Sequence, residues 1–301
     1  MEIVAISPAN PAGFTSQFRL EGPSAALDPR INAYRPDIAD IALANLVAAP
    51  YYAVPDLYRL MRPSAMLTAE PGEGAPAISQ LLHGETFAVL DVSGGWAWGY
   101  CRHDHYVGYL PADMLARDMA EPTHRVTARS ALVFSDAGIK SPLVATLPMG
   151  ALIRAEDRTG DFVRTAHGFI HQRHLGALTQ VESDPVAVAE RLTGAPYLWG
   201  GRSGAGLDCS GLVQLTLGAC GIPAPRDSDQ QCERLGEEVA HDQLRRGDLV
   251  FFPGHVGLMV DAERIIHANA YWMAVTVDPL ADVVARLKPD HPEPILAVKR
   301  L

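Results

Sequence analysis

Cys209, His255 and His267 are the residues of this chain whose types and spacing could do nucleophilic chemistry. Cys209 stands in Leu207-Asp208-Cys209-Ser210-Gly211-Leu212-Val213, just after the Gly-rich stretch Pro196-Tyr197-Leu198-Trp199-Gly200-Gly201. The pattern predicts a loop feeding a helix, with Leu212, Val213, Thr216 and Cys220 on roughly one stripe. Gly221 suits a C-terminal cap and Pro223 bars extension. Cys209 then falls in the first helical turn, where unpaired amides and the helix dipole favour a thiolate, the nucleophilic form.

Downstream, Gly247-Asp248-Leu249-Val250-Phe251-Phe252 reads as a turn and an apolar strand. His255-Val256-Gly257-Leu258-Met259-Val260 and Arg264-Ile265-Ile266-His267-Ala268 read as a hairpin around Asp261-Ala262-Glu263. A three-residue loop places His267 opposite Gly257, on the face of His255 and diagonal to it. Such neighbours lie roughly 7–8 Å apart at Cα, within reach of two imidazoles. A four-residue loop would put the two histidines on opposite faces. A cysteine, a histidine to hold its proton and a second polar ring to orient that histidine form a nucleophile triad. A neutral imidazole can serve as the orienter.

These blocks, with Ile265-Ile266-His267-Ala268, occur in the order seen in the NlpC-type papain-like cysteine peptidases, and the chain resembles that family over roughly residues 184–301. The family comprises bacterial cell-wall peptide hydrolases. The resemblance implies Cys209 as nucleophile, His255 as base and His267 as orienter. It implies a γ-D-glutamyl-diamino acid bond as substrate, with Tyr197 supporting the oxyanion beside the Cys209 amide. Asp208 would hold the substrate's amino end, and Ser210 would also contact the substrate. Pro225-Arg226-Asp227-Ser228 resembles the substrate-loop motif and makes Ser228 a peptide contact. The residues alone imply only a thiol hydrolase.

Ahead of this domain, residues 58–120 carry short strand signals: Phe87–Leu90, Trp96–Tyr100 and Tyr106–Pro111. Residues 121–182 repeat the scheme more weakly. Gly84 matches Gly150, and Gly108-Tyr109-Leu110 matches Gly168-Phe169-Ile170. Both segments resemble bacterial SH3-like barrels. The expected fold is therefore α+β, a papain-like peptidase domain (183–301) behind two small barrels. Residues 1–57 form an N-terminal arm in which Asp37–Ala49 suits one amphipathic helix. Asp184 and Pro185 open a helix as N-cap and first residue. The resemblance extends to relatives whose first barrel clamps a free L-Ala ammonium, which makes Tyr106 and the Glu70–Glu73 loop the candidates here, because a desolvated ammonium needs polar acceptors.

Composition bounds the partners. The 301 residues are 48% hydrophobic and carry a net charge of −10, which argues against nucleic acid and against an electrostatic grip on an anionic polymer. The start of the chain has neither a basic segment nor an apolar core, so no signal peptide or membrane span is expected. Four cysteines without such a signal are expected as free thiols in the cytoplasm. The histidines at 103, 105, 167, 171 and 174 lack cysteine partners at zinc spacing, so neither metal nor cofactor is expected. The expected ligand is a murein-derived peptide, L-Ala-γ-D-Glu-diamino acid, met during wall-peptide recycling. The rival readings are an idle wall-peptide-binding module, or an acyltransferase or amidase using the same Cys-His-His set.

Overall fold

The computed structural model describes residues 27–117 and 120–301. The start of the expected arm, residues 1–26, lies outside them. The arm's expected helix over Asp37–Ala49 does not form. Instead Ala39–Asp40 pairs in parallel with Tyr52–Ala53, and only a 3-10 turn, Ile41–Leu43, follows. The Asp40 side chain accepts from the Ala42 amide and starts that turn. Packing overrides the helical pattern. Ile38 is drawn into a cluster with Ala53, Leu90, Trp98 and Tyr100, while Ile41 and Leu46 are left exposed.

Residues 56–116 form a seven-stranded sheet around a core that includes Leu60, Leu67, Leu81, Phe87, Cys101 and Leu110. Residues 124–177 form a five-stranded and a three-stranded sheet around Val126, Ala131, Val133 and Ile170. The internal repeat is visible in the turns. Gly84 and Gly150 both take positive φ, at 75° and 89°. Each copy also ends in a strand, a 3-10 turn and a short strand: Val107–Pro111, Ala112–Met114, Leu115–Ala116 in one, and Gly168–His171, Gln172–His174, Leu175–Ala177 in the other.

The remainder is a six-stranded antiparallel sheet between helices, beside a two-stranded one that pairs Arg202–Ser203 with Gly206–Leu207. The strand order of the larger sheet is Glu237–Glu238, Ala297–Arg300, Leu249–Phe252, His255–Met259, Arg264–Asn269, Ala274–Pro279. Helices α1 (Pro185–Glu190) and α2 (Cys209–Ala219) cover one face. Helix α4 (Leu280–Leu287) covers the other. The short α3 (Ser228–Arg234) follows α2. Asp184 caps α1 through the Val186 and Ala187 amides, with Pro185 in the first turn. Gly221 closes α2 at φ 76°, and the Ile222 amide reaches back to the Leu217 carbonyl. No helix among the described residues is long and apolar enough to cross a membrane.

The first barrel is tied to this domain by buried polar contacts. Arg202 Nη1 donates to the Gln80 carbonyl at 2.8 Å and pairs with Glu85 at 3.0 Å. Gln214 Nε2 donates to Asp104 at 2.9 Å, and Arg226 Nε donates to Ser79 Oγ at 3.0 Å. The barrel therefore presents its Ala77–Leu82 strand and the 104–106 turn to the start of α2 and to α3.

Candidate active site

Cys209 is the first residue of α2, as its cap requires. Asp208 is extended, and its Oδ1 accepts the Gly211 amide at 2.7 Å. Two glycines let the preceding loop lie on that first turn. A Cβ on Gly211 would sit 2.2 Å from the Gly201 carbonyl oxygen, and one on Gly201 would sit 2.4 Å from that of Gly206. The Gly-rich stretch is thus held where Tyr197 packs against the cluster containing Cys209.

The hairpin loop has three residues. Leu258 pairs with Ile266, Met259 with Ile265, and the Val260 amide donates to the Arg264 carbonyl. His267 therefore falls opposite Gly257, and the missing side chain there is needed: a Cβ on Gly257 would sit 3.0 Å from His267 Cβ. His255 Nε2 and His267 Nδ1 are 2.7 Å apart. His255 Nδ1 is the ring nitrogen left for a proton from outside the pair. Cys209 lies beside this strand, with the amides of Val256 and Ser210 directed at its sulfur.

The electrostatics correct one expectation. Burial pushes the Cys209 thiol up to about 11, the Asp208 charge adds to this, and the Val256 and Ser210 amides only partly offset it. Burial, with smaller contributions from His267 and Arg286, pulls His255 down to about 3. A helix N-terminus contributes about 0.3–1 kcal/mol to a nearby anion. Desolvating a charge costs several kcal/mol, and Cys209 is 7% exposed. Burial thus works against both the thiolate and the imidazolium. Burial also pushes the Tyr197 hydroxyl up to about 12, with the charges of Cys209 and Asp208 adding to it. That hydroxyl makes no hydrogen bond to the described residues and is free for a ligand.

Asp208 is already bonded within the protein. Its Oδ1 accepts Arg226 Nη1 at 2.9 Å and the Gly211 amide; its Oδ2 accepts Arg226 Nη2 at 2.6 Å and the Gly200 amide at 2.8 Å. Ser210 is likewise turned inward, its Oγ accepting Arg226 Nη1 at 3.0 Å. Glu70 and Glu73 are exposed on the loop after Ser64–Thr68, with side chains paired to nothing among the described residues. Ser228 is half-buried at the first position of α3, its hydroxyl likewise without a partner. Tyr106 is buried, and its hydroxyl donates to Asp227 Oδ2 at 2.9 Å, an oxygen that also receives Arg30 Nη1 at 2.8 Å. Burial raises the Asp227 carboxyl despite these donors. No three His, Cys, Asp or Glu side chains among the described residues are grouped to hold a metal.

Three residues were missed by sequence reasoning. Arg226 is the buried counter-ion of Asp208, and Asp227 is the carboxylate that meets Tyr106. Asp278 lies behind His267: its Oδ2 is 3.4 Å from His267 Nε2, and it accepts Trp272 Nε1 at 3.1 Å and Arg286 Nη2 at 2.6 Å. Its signal was the strand Ala274–Pro279, whose register places Asp278 against Ile265 and diagonal to His267. Burial raises the Asp278 carboxyl, but the hydrogen bonds from Arg286, Trp272 and His267 outweigh this and hold it below the ordinary range.

Comparison with known proteins identifies the domains that carry this geometry. Residues 194–285 match the NlpC/P60 family, and residues 67–115 match the bacterial dipeptidyl-peptidase SH3 domain. Dipeptidyl-peptidase 6 of Lysinibacillus sphaericus is 27% identical over 79% of this chain and 96% of its own length. The γ-D-glutamyl-L-lysine dipeptidyl-peptidase of Bacillus subtilis is 28% identical over 68% of this chain and 77% of its own. The crystal structure of an NlpC/P60 family protein from Bacillus cereus shares the fold, with TM-score 0.71 at 20% identity, covering 81% of this chain and 99% of that one.

Proposed function

From the premise that residues 194–285 are an NlpC/P60 cysteine peptidase domain and residues 67–115 a dipeptidyl-peptidase SH3 domain, we propose that the chain cleaves the γ-D-glutamyl-diamino acid bond of murein peptides whose L-Ala amine is free. The Cys209 thiol attacks the γ-carbonyl of D-Glu while its proton passes to His255 Nδ1. The oxyanion forms against the Cys209 amide and the Tyr197 hydroxyl. His255 returns the proton to the leaving amine of the diamino acid, and water then hydrolyses the thioester. Because burial disfavours both the thiolate and the imidazolium, proton transfer accompanies attack.

One observation carries the amine requirement. The first barrel brings Tyr106 onto Asp227, whose Oδ2 takes both donors while Oδ1 takes none among the described residues. Asp227 follows Arg226, which is bonded to Asp208 and Ser210 beside the nucleophile. A half-buried carboxylate with a raised pKa and a free oxygen, one residue from that contact, suits a desolvated ammonium. The relatives named as dipeptidyl-peptidases support the same end-specificity. Action on free peptides fits a role in cytoplasmic recycling, and the four unpaired cysteines favour a reducing compartment.

The test compares L-Ala-γ-D-Glu-diaminopimelate with its N-acetylated form. The free-amine peptide is expected to turn over faster by on the order of 10²-fold or more, since an acylated amine leaves Asp227 Oδ1 without its donor. Cys209→Ser should abolish both activities. Equal rates on the two peptides would remove the amine requirement.

A further inference from the structure

We propose that Asp278 is a positioning residue that acts through His267, fixing which ring nitrogen of His267 carries the proton and so which nitrogen of His255 can accept one. The inference rests on the reading of Cys209, His255 and His267 as the catalytic set.

The argument is one of donors and acceptors. Three groups converge on a single oxygen, Asp278 Oδ2: Arg286 Nη2 at 2.6 Å, Trp272 Nε1 at 3.1 Å and His267 Nε2 at 3.4 Å. The guanidinium and the indole N–H can only donate, so this oxygen is an acceptor. Arg286 is held in place over the Tyr271 ring, 4.4 Å from its centroid, and keeps the carboxylate ionised. An ionised carboxylate is satisfied by His267 only if Nε2 carries the proton. A neutral imidazole has one N–H, so His267 Nδ1 becomes an acceptor. The 2.7 Å contact must then run from His255 Nε2–H to His267 Nδ1. His255 Nδ1 keeps its lone pair and can take the thiol proton.

The opposite tautomer fails at every step. With the proton on Nδ1, His267 would donate to His255 Nε2. His255 would then carry its own proton on Nδ1 and could accept none from Cys209. His267 Nε2 would turn a lone pair toward a carboxylate. His267 is 2% exposed and Asp278 is 8% exposed, so bulk water is a poor substitute for this contact. When His255 becomes an imidazolium in the transition state, the charge of Asp278 stands behind the neutral His267. The arrangement repeats one geometric device. His255 reaches His267 diagonally across one strand pair, and His267 reaches Asp278 diagonally across the next.

The test has a readout independent of turnover. In 15N-histidine-labelled protein, long-range 1H–15N correlation spectra report the tautomer of each ring. The wild-type protein is expected to show His267 as the neutral Nε2–H form; an Nδ1–H form overturns the proposal. Asp278→Ala should mix the tautomers, lower kcat by on the order of 10–10²-fold and leave KM within about twofold. Asp278→Asn still presents a carbonyl to the three donors and should recover kcat to within a few-fold of wild type. An Asp278→Ala protein that keeps both tautomer and kcat while only its Tm falls makes the residue structural and overturns the proposal. If Asp278→Ala does not fold, the wild-type spectrum and the Asn variant decide. A wild-type protein that holds the Nε2–H form, loses it in Asp278→Ala and cleaves no peptide supports Asp278's role while removing the peptidase reading.

Discussion

Arg226 and Asp208 form a buried, two-bond ion pair, with nitrogen–oxygen distances of 2.6 and 2.9 Å, at the cap of the helix that begins with Cys209. Arg226 is 1% exposed, and its Nε also donates to Ser79 Oγ of the first barrel. One guanidinium therefore neutralises the cap of α2 and pins the barrel across it.

Removing that guanidinium should cost more than its contacts suggest, because it leaves a buried carboxylate without a counter-charge. Arg226→Ala is expected to destabilise the protein by about 3–5 kcal/mol in urea unfolding. Arg226→Lys, which keeps the charge but not the fork, should cost less. The double variant Asp208→Asn/Arg226→Met should regain part of the loss. An Arg226→Ala protein within about 1 kcal/mol of wild type would show that the pair is not what holds the cap.

Gly257 is a steric requirement of the histidine pair. An added Cβ would sit 2.7 Å from Ile265 Cδ1 as well as 3.0 Å from His267 Cβ. Gly257→Ala is expected to cost about 1–3 kcal/mol as overpacking. It should lower kcat by at least about tenfold by displacing His267, with KM little changed. Unchanged kcat in a folded variant would mean that Ile265 alone absorbs the methyl.

Burial of His255 and of Cys209 sets opposite pH limits. His255 titrates near 3 in the fold, below its ordinary value, so its contribution is present above about 6.5 and is lost as pH falls toward 3. Cys209 titrates near 11, above its ordinary value, so its contribution is present below about 8.5 and is lost as pH rises toward 11. Denaturation midpoints should decline less in acid for His255→Gln and less in alkali for Cys209→Ala than for wild type. Iodoacetamide at pH 7 should label half-buried Cys220 and Cys232 before Cys209, whose labelling accelerates between pH 9 and 11. Fastest labelling of Cys209 at pH 7 would show that burial does not hold its thiol up.

Local signals in the sequence were strong where the physics is local. The helix start at Cys209, Gly221 as stop and the short turn at Asp261-Ala262-Glu263 act within a few residues, so spacing pointed to Cys209, His255 and His267 as candidates. The strand periodicity also reported the repeat between Gly84 and Gly150. What spacing could not reveal was the pairing of charges. Asp208 shows no counter-ion in the sequence, and only the fold brings Arg226, eighteen residues on, onto it. Asp227 gained meaning only when Tyr106, 121 residues away, met it. The arm's periodic apolar residues argued for a helix, yet contact with Trp98 and Tyr100 pulled Ile38 out of that pattern. The protonation state of Cys209 was likewise a tertiary outcome. A helix terminus is legible in sequence, but desolvation depends on everything packed around the sulfur, and it exceeds the dipole.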